Sequence, residues 1–247
     1  MSFSKSTAAP TLTVLAVLAC SALLGPSSAA GQARQQARAP KPAGSLWVAP
    51  YFGAGFQSSY YDDAVLFSDG SSQFLTVDPG SSVLIGLQLG YRVSPKWTLH
   101  LNASTSSPTA EYIEDLEPRP DNNLRTTQID AGLLYDVAAF QLGREKAPIS
   151  VGGGLTLTSH SLKQLTWNGN AIRPSTTSVG LHGLAALEIP LASKINFRGQ
   201  AKMSVSPLSL GDLEERIAAA EGGGVTASLD AGTSTSFQML FGVAYRP

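Results

Sequence analysis

The sequence contains little cysteine and little charge. Its single cysteine, Cys20, lies in an N-terminal apolar stretch, so the rest of the chain can form neither an internal disulfide nor a thiolate metal cluster. Charged residues make up 14% of the chain, and the formal net charge is −1. Nucleic-acid binding needs a clustered basic face, so we expect no nucleic-acid partner. The hydrophobic share of 43% also excludes an intrinsically disordered chain.

Long apolar runs are absent after residue 30. A helix that crosses a bilayer needs about 18 or more consecutive apolar residues. In lipid, backbone groups can otherwise be satisfied only within a closed β-barrel. If this chain spans a membrane, it must therefore do so with strands.

The first 30 residues have the layout of a secretory signal peptide. Lys5 is the only charge before Thr11, an apolar run follows at 12–24, and Gly25-Pro26 interrupts it. Small residues before position 31 then offer a cleavage site. We expect residues 1–30 to be the signal peptide, cleaved after Ala30, and residues 31–44 to form a flexible linker.

An alternative processing site lies within the same stretch. Val17-Leu18-Ala19-Cys20 resembles a lipobox, in which the cysteine becomes lipidated. The apolar run continues past Cys20, which favours conventional cleavage, but the lipidated alternative stays open. Both alternatives imply export.

Strict period-two alternation is the strongest signal after the linker. In residues 83–91, one face is apolar (Val83, Ile85, Leu87, Leu89, Tyr91) and the other is Leu84, Gly86, Gln88 and Gly90. Residues 128–137, 195–205 and 236–245 alternate in the same way, and four segments do so less regularly: 46–56, 97–105, 149–159 and 178–188. Together they predict about eight strands, each long enough to cross a membrane at a tilt.

The connections between these segments alternate in length. Short links fall at 93–96, 143–146 and 191–194, and long links at 57–80, 106–126, 160–177 and 206–233. Short periplasmic turns and long outer loops are typical of outer-membrane barrels. We therefore predict that residues 45–247 form an all-β, closed, up-and-down antiparallel transmembrane β-barrel with about eight strands, short periplasmic turns and long outer loops.

A secreted, lipocalin-like barrel would also alternate, with its apolar face inside. In the four regular segments the apolar faces carry no charge, and the polar faces are mostly small residues. A water-facing surface would carry more Lys and Glu, whereas a narrow lumen needs small or paired groups. These features favour the membrane barrel over the soluble one.

The layout, and the closing segment 241–246, resemble the small outer-membrane β-barrel domain family, typified by eight-stranded barrels of Gram-negative bacteria. That family usually ends in an aromatic residue, whereas this chain ends in Pro247 with Tyr245 two residues earlier. The resemblance implies a location in the bacterial outer membrane. It also implies contact with outer-membrane lipid and insertion by the barrel insertion machinery.

Two sets of residues are candidate sites on the barrel. Aromatic residues near the short-turn ends of strands predict a periplasmic girdle: Trp47, Tyr91, Trp97, Tyr135 and Tyr245. Ionisable residues on the inward parity predict a polar network in the lumen: Arg92, His100, Asp130, Asp136, His182, Glu188, Arg198 and Lys202. Their mixed signs favour charge pairs that fill a narrow lumen, since buried charges must be paired. A proton or ion pathway is the alternative.

No constellation of catalytic residues emerges, so we expect no enzyme, no cofactor and no metal ion. His160-Ser161 is the least unfavourable candidate for a lipid-modifying enzyme, but no third group orients it. Acidic loop clusters at Asp62-Asp63, Asp69-Gly70 and Glu114-Asp115 lack the spacing of a calcium-binding loop.

The long loops carry two further features. Residues 212–222 predict a short helix with Leu213, Ile217 and Ala220 on one face, and the first loop contains Tyr60, Tyr61, Phe67 and Phe74. We expect an envelope-structural or surface-contact role, in which the loops meet an extracellular or envelope partner. A narrow channel or carrier for small solutes is the alternative, and a lipid-modifying enzyme is less favoured.

Overall fold

The computed structural model describes residues 44–247, apart from 59–60, 79, 108, 115–116, 143–144, 163–164, 168–169, 209–210, 222–225 and 230–231. The predicted signal peptide and nearly all of the predicted linker lie outside the described residues. No helix in the described part of the chain has the length and apolar character to cross a bilayer.

The described residues form fourteen strands and one helix. In chain order the strands are β1 (Leu46–Gln57), β2 (Tyr61–Phe67), β3 (Ser72–Asp78), β4 (Ser81–Arg92), β5 (Trp97–Ser106), β6 (Thr109–Glu114), β7 (Glu117–Leu142), β8 (Glu145–Leu162), β9 (Leu165–Trp167), β10 (Asn170–Ile172), β11 (Ser175–Pro190), β12 (Ile195–Pro207), β13 (Ala227–Ser228) and β14 (Thr233–Tyr245). Helix α1 (Gly211–Glu221) lies between β12 and β13 and confirms the helix predicted at 212–222.

Eight of the strands form a closed antiparallel ring. Hydrogen bonding follows the order β7-β5-β4-β1-β14-β12-β11-β8, and β8 pairs back with β7 from Leu124↔Leu162 to Leu142↔Glu145. Each strand of the ring overlaps one of the segments that alternation predicted. A closed ring leaves no unpaired edge, which is what a barrel needs in lipid. The predicted eight-stranded barrel is confirmed.

The two faces of the barrel wall are as the alternation predicted. On β4, Val83 and Ile85 are 73% and 60% exposed on the outer face, whereas Gln88 is only 1% exposed and points inward. On β12 the outward residues are likewise apolar and the inward residues are polar, whereas the inward face of β14 combines the polar Ser234, Ser236 and Gln238 with the buried Leu240 and Ala244. An apolar exterior around a polar interior excludes the soluble alternative, which would need the reverse.

The short connections lie at one end of the barrel, which is the periplasmic end. The turn at 93–96 closes with a hydrogen bond from Val93 N to Trp97 O of 3.0 Å, and that at 191–194 with one from Leu191 N to Ile195 O of 2.9 Å. Gly44 N donates to Arg92 O at 2.7 Å, at the same end.

The long connections at the outer end of the barrel contain regular secondary structure. They contain β2, β3, β6, β9, β10, β13 and α1, and the sheet continues from the outer part of β7 through β6, β3 and β2 to β13. We call these elements and their connections the cap. Apart from the helix at 212–222, the sequence predicted only long loops here, because these strands are short and lack the strict alternation that lipid imposes on the barrel wall.

The cap holds the largest hydrophobic core of the described residues. Its fully or nearly fully buried members are Val65, Phe67, Leu75, Val77, Leu124, Leu162, Trp167, Ile172, Leu208, Leu213, Ile217 and Leu229. Leu124 and Leu162 belong to barrel strands, so the core lies directly over the outer mouth of the barrel. The helix contributes Leu213 and Ile217 from the face that its sequence pattern indicated.

Candidate functional site

The eight ionisable residues predicted for the lumen all point inward. Seven are buried, and Asp136 is partly buried. They lie on β4, β5, β7, β11 and β12, and they form one group at the periplasmic end and one in the middle of the barrel. The arrangement brings opposite charges together in both groups.

The middle group is centred on Asp130. Lys202 Nζ lies 2.7 Å from its Oδ2, Asn102 Nδ2 donates to the same oxygen at 2.6 Å, and Thr156 Oγ1 donates to Oδ1 at 2.6 Å. Asp130 lies on β7 and Lys202 on β12, which are three places apart in the ring. The ion pair therefore crosses the lumen and does not follow the wall.

Glutamines add two more crossings of the lumen. Gln200 Nε2 donates to Gln88 Oε1 at 2.7 Å, and Gln238 Nε2 donates to Gln128 Oε1 at 2.6 Å. Lys202 Nζ also donates to Gln128 Oε1 at 3.0 Å, which joins the second crossing to the ion pair. The sequence analysis did not single out these glutamines. The available signal was one glutamine on the polar face of each of four barrel strands.

The periplasmic group contains two charge clusters. Arg92 lies 2.9 Å from Asp136, which also accepts a 2.7 Å hydrogen bond from Ser150 Oγ. Glu188 accepts hydrogen bonds from Asn196, Arg198 and Arg246. Every carboxylate in these clusters has a cationic partner, which is the condition for burying charge in a narrow lumen.

The histidines occupy two separate places. His100 and His182 meet in the middle of the barrel with their Nε2 atoms 3.4 Å apart, and His182 Nδ1 lies 3.9 Å from a carboxylate oxygen of Asp130. His160 lies nearer the cap, where Nδ1 is 3.0 Å from Thr126 Oγ1 and Nε2 is 3.3 Å from Gln57 Nε2.

Four of the five predicted girdle residues lie on the outer surface near the periplasmic rim. Tyr91, Trp97 and Tyr245 are exposed, and Tyr135 is half-buried against Trp97 with their ring centroids 4.9 Å apart. Lys96 Nζ donates to the Tyr135 hydroxyl at 3.3 Å. An apolar ring with a polar tip suits the membrane–water interface.

Trp47 was wrongly assigned to the girdle. It is only 4% exposed and lies inside the lumen, where the Arg198 guanidinium is 4.5 Å from its ring centroid. Leu46 points outward, so alternation turns Trp47 inward, and the facing residue, Gly90, leaves room for the indole. A Cβ atom at Gly90 would overlap the Trp47 ring. The facing glycine was the signal that the sequence analysis missed.

Helix α1 is tied to the cap by its acidic residues. Trp167 Nε1 donates to Glu221 at 2.6 Å, Ser175 N to Asp212 at 2.7 Å, and Leu229 N to Glu214 at 2.7 Å. The Arg216 side chain lies 2.9 Å from Asp212 and is the main cause of the lowered pKa of that carboxyl. The hydrogen bond from the Ser175 amide lowers the pKa further. A cleft of about 600 Å³ opens between α1 and β10, lined by Asn170, Ala171, Ile172, Arg173, Arg216, Ala219 and Ala220.

The remaining loop candidates do not form a site. Phe67 joins the cap core, with its ring centroid 6.4 Å from that of Trp167. Asp69 accepts two hydrogen bonds from Ser71, which lower the pKa of its carboxyl. Tyr60, and the side chains of Tyr61, Phe74 and the acidic pairs at 62–63 and 114–115, lie outside the described part of the chain.

Comparison with known proteins gives one family and several barrels of similar fold. A family model described as outer membrane protein beta-barrel domain matches residues 16–247. The outer membrane protein OprG from Pseudomonas aeruginosa is similar at 17% identity and a TM-score of 0.54, over 83% of this chain and 96% of that one. Neisserial surface protein A is similar at 14% identity and a TM-score of 0.49, over 81% and 96%. No curated protein sequence matches.

Proposed function

This chain belongs to the outer membrane protein β-barrel domain family of the bacterial outer membrane, and we propose that it is a non-enzymatic barrel that holds a folded cap at the cell surface. The cap serves as the contact surface for an extracellular or envelope partner. The apolar outer face of the barrel wall contacts outer-membrane lipid, and the barrel insertion machinery inserts the chain into the membrane. The observation that carries the proposal is the large cap core above a lumen crossed by hydrogen-bonded side chains.

The crossings support a barrel that acts as a scaffold. An eight-stranded barrel is just wide enough for its own side chains to fill it. Here the Lys202–Asp130 pair and the two glutamine pairs occupy the middle of that space. A solute could pass only if several of these contacts broke together.

The cap supports the contact role. Binding surfaces are commonly carried by connecting segments on a rigid scaffold. Here the segments have a core of their own, which fixes the surface before a partner arrives, so less conformational entropy is lost on binding. The cleft between α1 and β10 is a recess in this surface, and alanine and arginine residues are among those that line it.

Two measurements test the proposal together. Purified protein in planar bilayers should show no discrete conductance steps. On intact cells, a membrane-impermeant maleimide should label Glu215→Cys on α1 and should not label Lys194→Cys in a periplasmic turn. The wild-type chain is the labelling blank. Conductance steps from the wild type, or labelling of Lys194→Cys alone, would contradict the proposal.

A narrow channel is the second candidate, and one observation favours it. Several inward polar atoms, among them Ser104 Oγ, Thr158 Oγ1 and Ser178 Oγ, have no hydrogen-bond partner within the described structure. Buried polar groups of this kind are usually satisfied by water, and a wet lumen is a condition for conduction. Discrete conductance that is lost on replacing Arg198 or Lys202 would establish this function.

A lipid-modifying enzyme has less support. The ring nitrogens of His160 lie 3.0 Å from the Thr126 hydroxyl and 3.3 Å from the Gln57 amide nitrogen inside the barrel. The neighbouring Ser161 is exposed on the opposite face of β8, so the two side chains do not form a nucleophile and its base. Lipid turnover that disappears in His160→Ala would be needed to establish an enzyme.

A further inference from the structure

The middle of the lumen contains a pair of histidine side chains, and two glycines lie between them in the barrel wall. His100, Gly132, Gly154 and His182 are successive partners in the ladders of β5, β7, β8 and β11, so they lie at one level of the barrel. A Cβ atom at Gly132 would lie 2.8 Å from His100 Nε2. Gly132 therefore leaves the space into which the His100 ring turns.

The geometry of the pair matches two ligands of one metal ion. The Nε2 atoms lie 3.4 Å apart, and the rings are nearly perpendicular at 80° with centroids 5.3 Å apart. Imidazole nitrogens bind Zn²⁺ at about 2.0–2.1 Å, which in a tetrahedral site places two of them about 3.3–3.4 Å from each other. The two nitrogens therefore have the separation that such an ion requires.

An acidic side chain lies beside the pair. His182 Nδ1 faces a carboxylate oxygen of Asp130 at 3.9 Å, and that carboxylate is oriented by Thr156 and Asn102. At that separation the carboxylate is not hydrogen-bonded to the ring, and it acts on the pair through its negative charge. The described residues include no group of three or more His, Cys, Asp and Glu side chains that could hold a metal ion, so solvent would complete the coordination of an ion at the pair. The nearby Lys202 charge is balanced by Asp130.

We propose that His100 and His182 bind one late first-row divalent ion, of the Zn²⁺ and Cu²⁺ class, through their Nε2 atoms. Two imidazoles favour these borderline ions over Ca²⁺ and Mg²⁺, which prefer oxygen ligands. The ion links β5 to β11 across the two intervening strands. Without an ion, the same contact is a hydrogen bond between two neutral imidazoles.

The test uses the untagged chain, refolded in detergent with Zn²⁺ or Cu²⁺ and then passed through gel filtration with a weak chelator. The wild type should retain one ion per chain, and the Cu²⁺ form should show nitrogen hyperfine splitting from two imidazoles in its electron paramagnetic resonance spectrum. His100→Gln and His182→Gln should each lose retention. Ca²⁺ should not be retained.

His160→Gln is the matched control, because it removes the third histidine and leaves the pair intact. It should retain the ion as the wild type does. A heat-dependent shift on gels shows that each variant is folded. A folded wild type that retains no ion, or retention that survives both His100→Gln and His182→Gln, would overturn the proposal and leave the imidazole hydrogen bond as the explanation of the contact.

Discussion

Lys202 and Asp130 form an ion pair across the barrel lumen, with Nζ 2.7 Å from Oδ2 and side chains only 2% and 1% exposed. The contact joins β12 to β7 without passing along the wall. Gln128 accepts from the same ammonium group, so the pair is part of a larger crossing. A buried pair of this kind makes each charge depend on the other, because neither is solvated by bulk water.

Removing one member of the pair should destabilise the barrel strongly. Lys202→Met leaves the Asp130 charge buried without its cation and should lower the free energy of unfolding by about 3–5 kcal/mol. Adding Asp130→Asn to that variant removes the orphaned charge and should recover most of the loss. Urea unfolding in lipid vesicles measures both changes.

The control for this prediction is Lys194→Met, at an exposed position in a periplasmic turn. Its unfolding free energy should stay within about 0.5 kcal/mol of the wild type. A double variant that is no more stable than Lys202→Met alone would show that the cost does not come from unpaired charge.

The cap should unfold separately from the barrel when its core is damaged. Trp167 is fully buried in the cap core, and Trp167→Ala removes both its packing and its hydrogen bond to Glu221. A loss of about 3–5 kcal/mol is usual for such a change. Hydrogen exchange should increase in α1 and in β2 and β3, while the barrel strands keep their protection.

Trp97→Ala is the matched control, because Trp97 is an exposed aromatic at the opposite end of the barrel. It should leave exchange in the cap unchanged. Equal increases in exchange along the barrel strands of Trp167→Ala would contradict a cap that unfolds on its own.

The barrel was predictable from the sequence because lipid restricts which residues can lie on the outer face of the barrel wall. Every outward residue must be apolar and every strand must be long, so the pattern of β4 or β14 is regular enough to read directly. Helix α1 was predictable for a similar reason, since its acidic first turn and its apolar face are local features. These elements depend on neighbours along the chain.

The remaining features depend on residues that are distant in sequence. His100 and His182 are 82 residues apart, and their contact follows from ring closure and from the glycines between them. The cap strands bury small irregular faces against one another, so no simple period marks them. Trp47 needed knowledge of its partner Gly90 on the next strand of the ring.

The anchoring of α1 should weaken in acid. Arg216 and then the Ser175 amide lower the Asp212 pKa in the folded protein, so Asp212 contributes stability above its unfolded pKa and loses it as the pH falls through the lower folded value. Hydrogen exchange of the Ser175 amide should therefore show an acid-dependent loss of protection, beyond the intrinsic pH effect. Asp212→Asn should abolish that dependence, whereas Glu215→Gln, at an exposed position on the same helix, should preserve it.

A methyl group at Gly90 should distinguish the inner and outer faces of the wall. The added Cβ in Gly90→Ala would overlap the Trp47 indole, which is held against Arg198, and overpacking of this kind costs about 1–3 kcal/mol. Gly199→Ala is the matched control on the outer face, because its Cβ would lie 3.7 Å from Phe197 and 3.9 Å from Phe241, at ordinary contact distances. Urea unfolding should show a lower free energy of unfolding for Gly90→Ala and little or no change for Gly199→Ala.

Combining Gly90→Ala with Trp47→Leu tests whether the indole causes this loss of stability. If the indole is what the methyl group meets, the double variant should be more stable than additive losses predict, whereas strictly additive losses would trace the effect to the backbone at position 90.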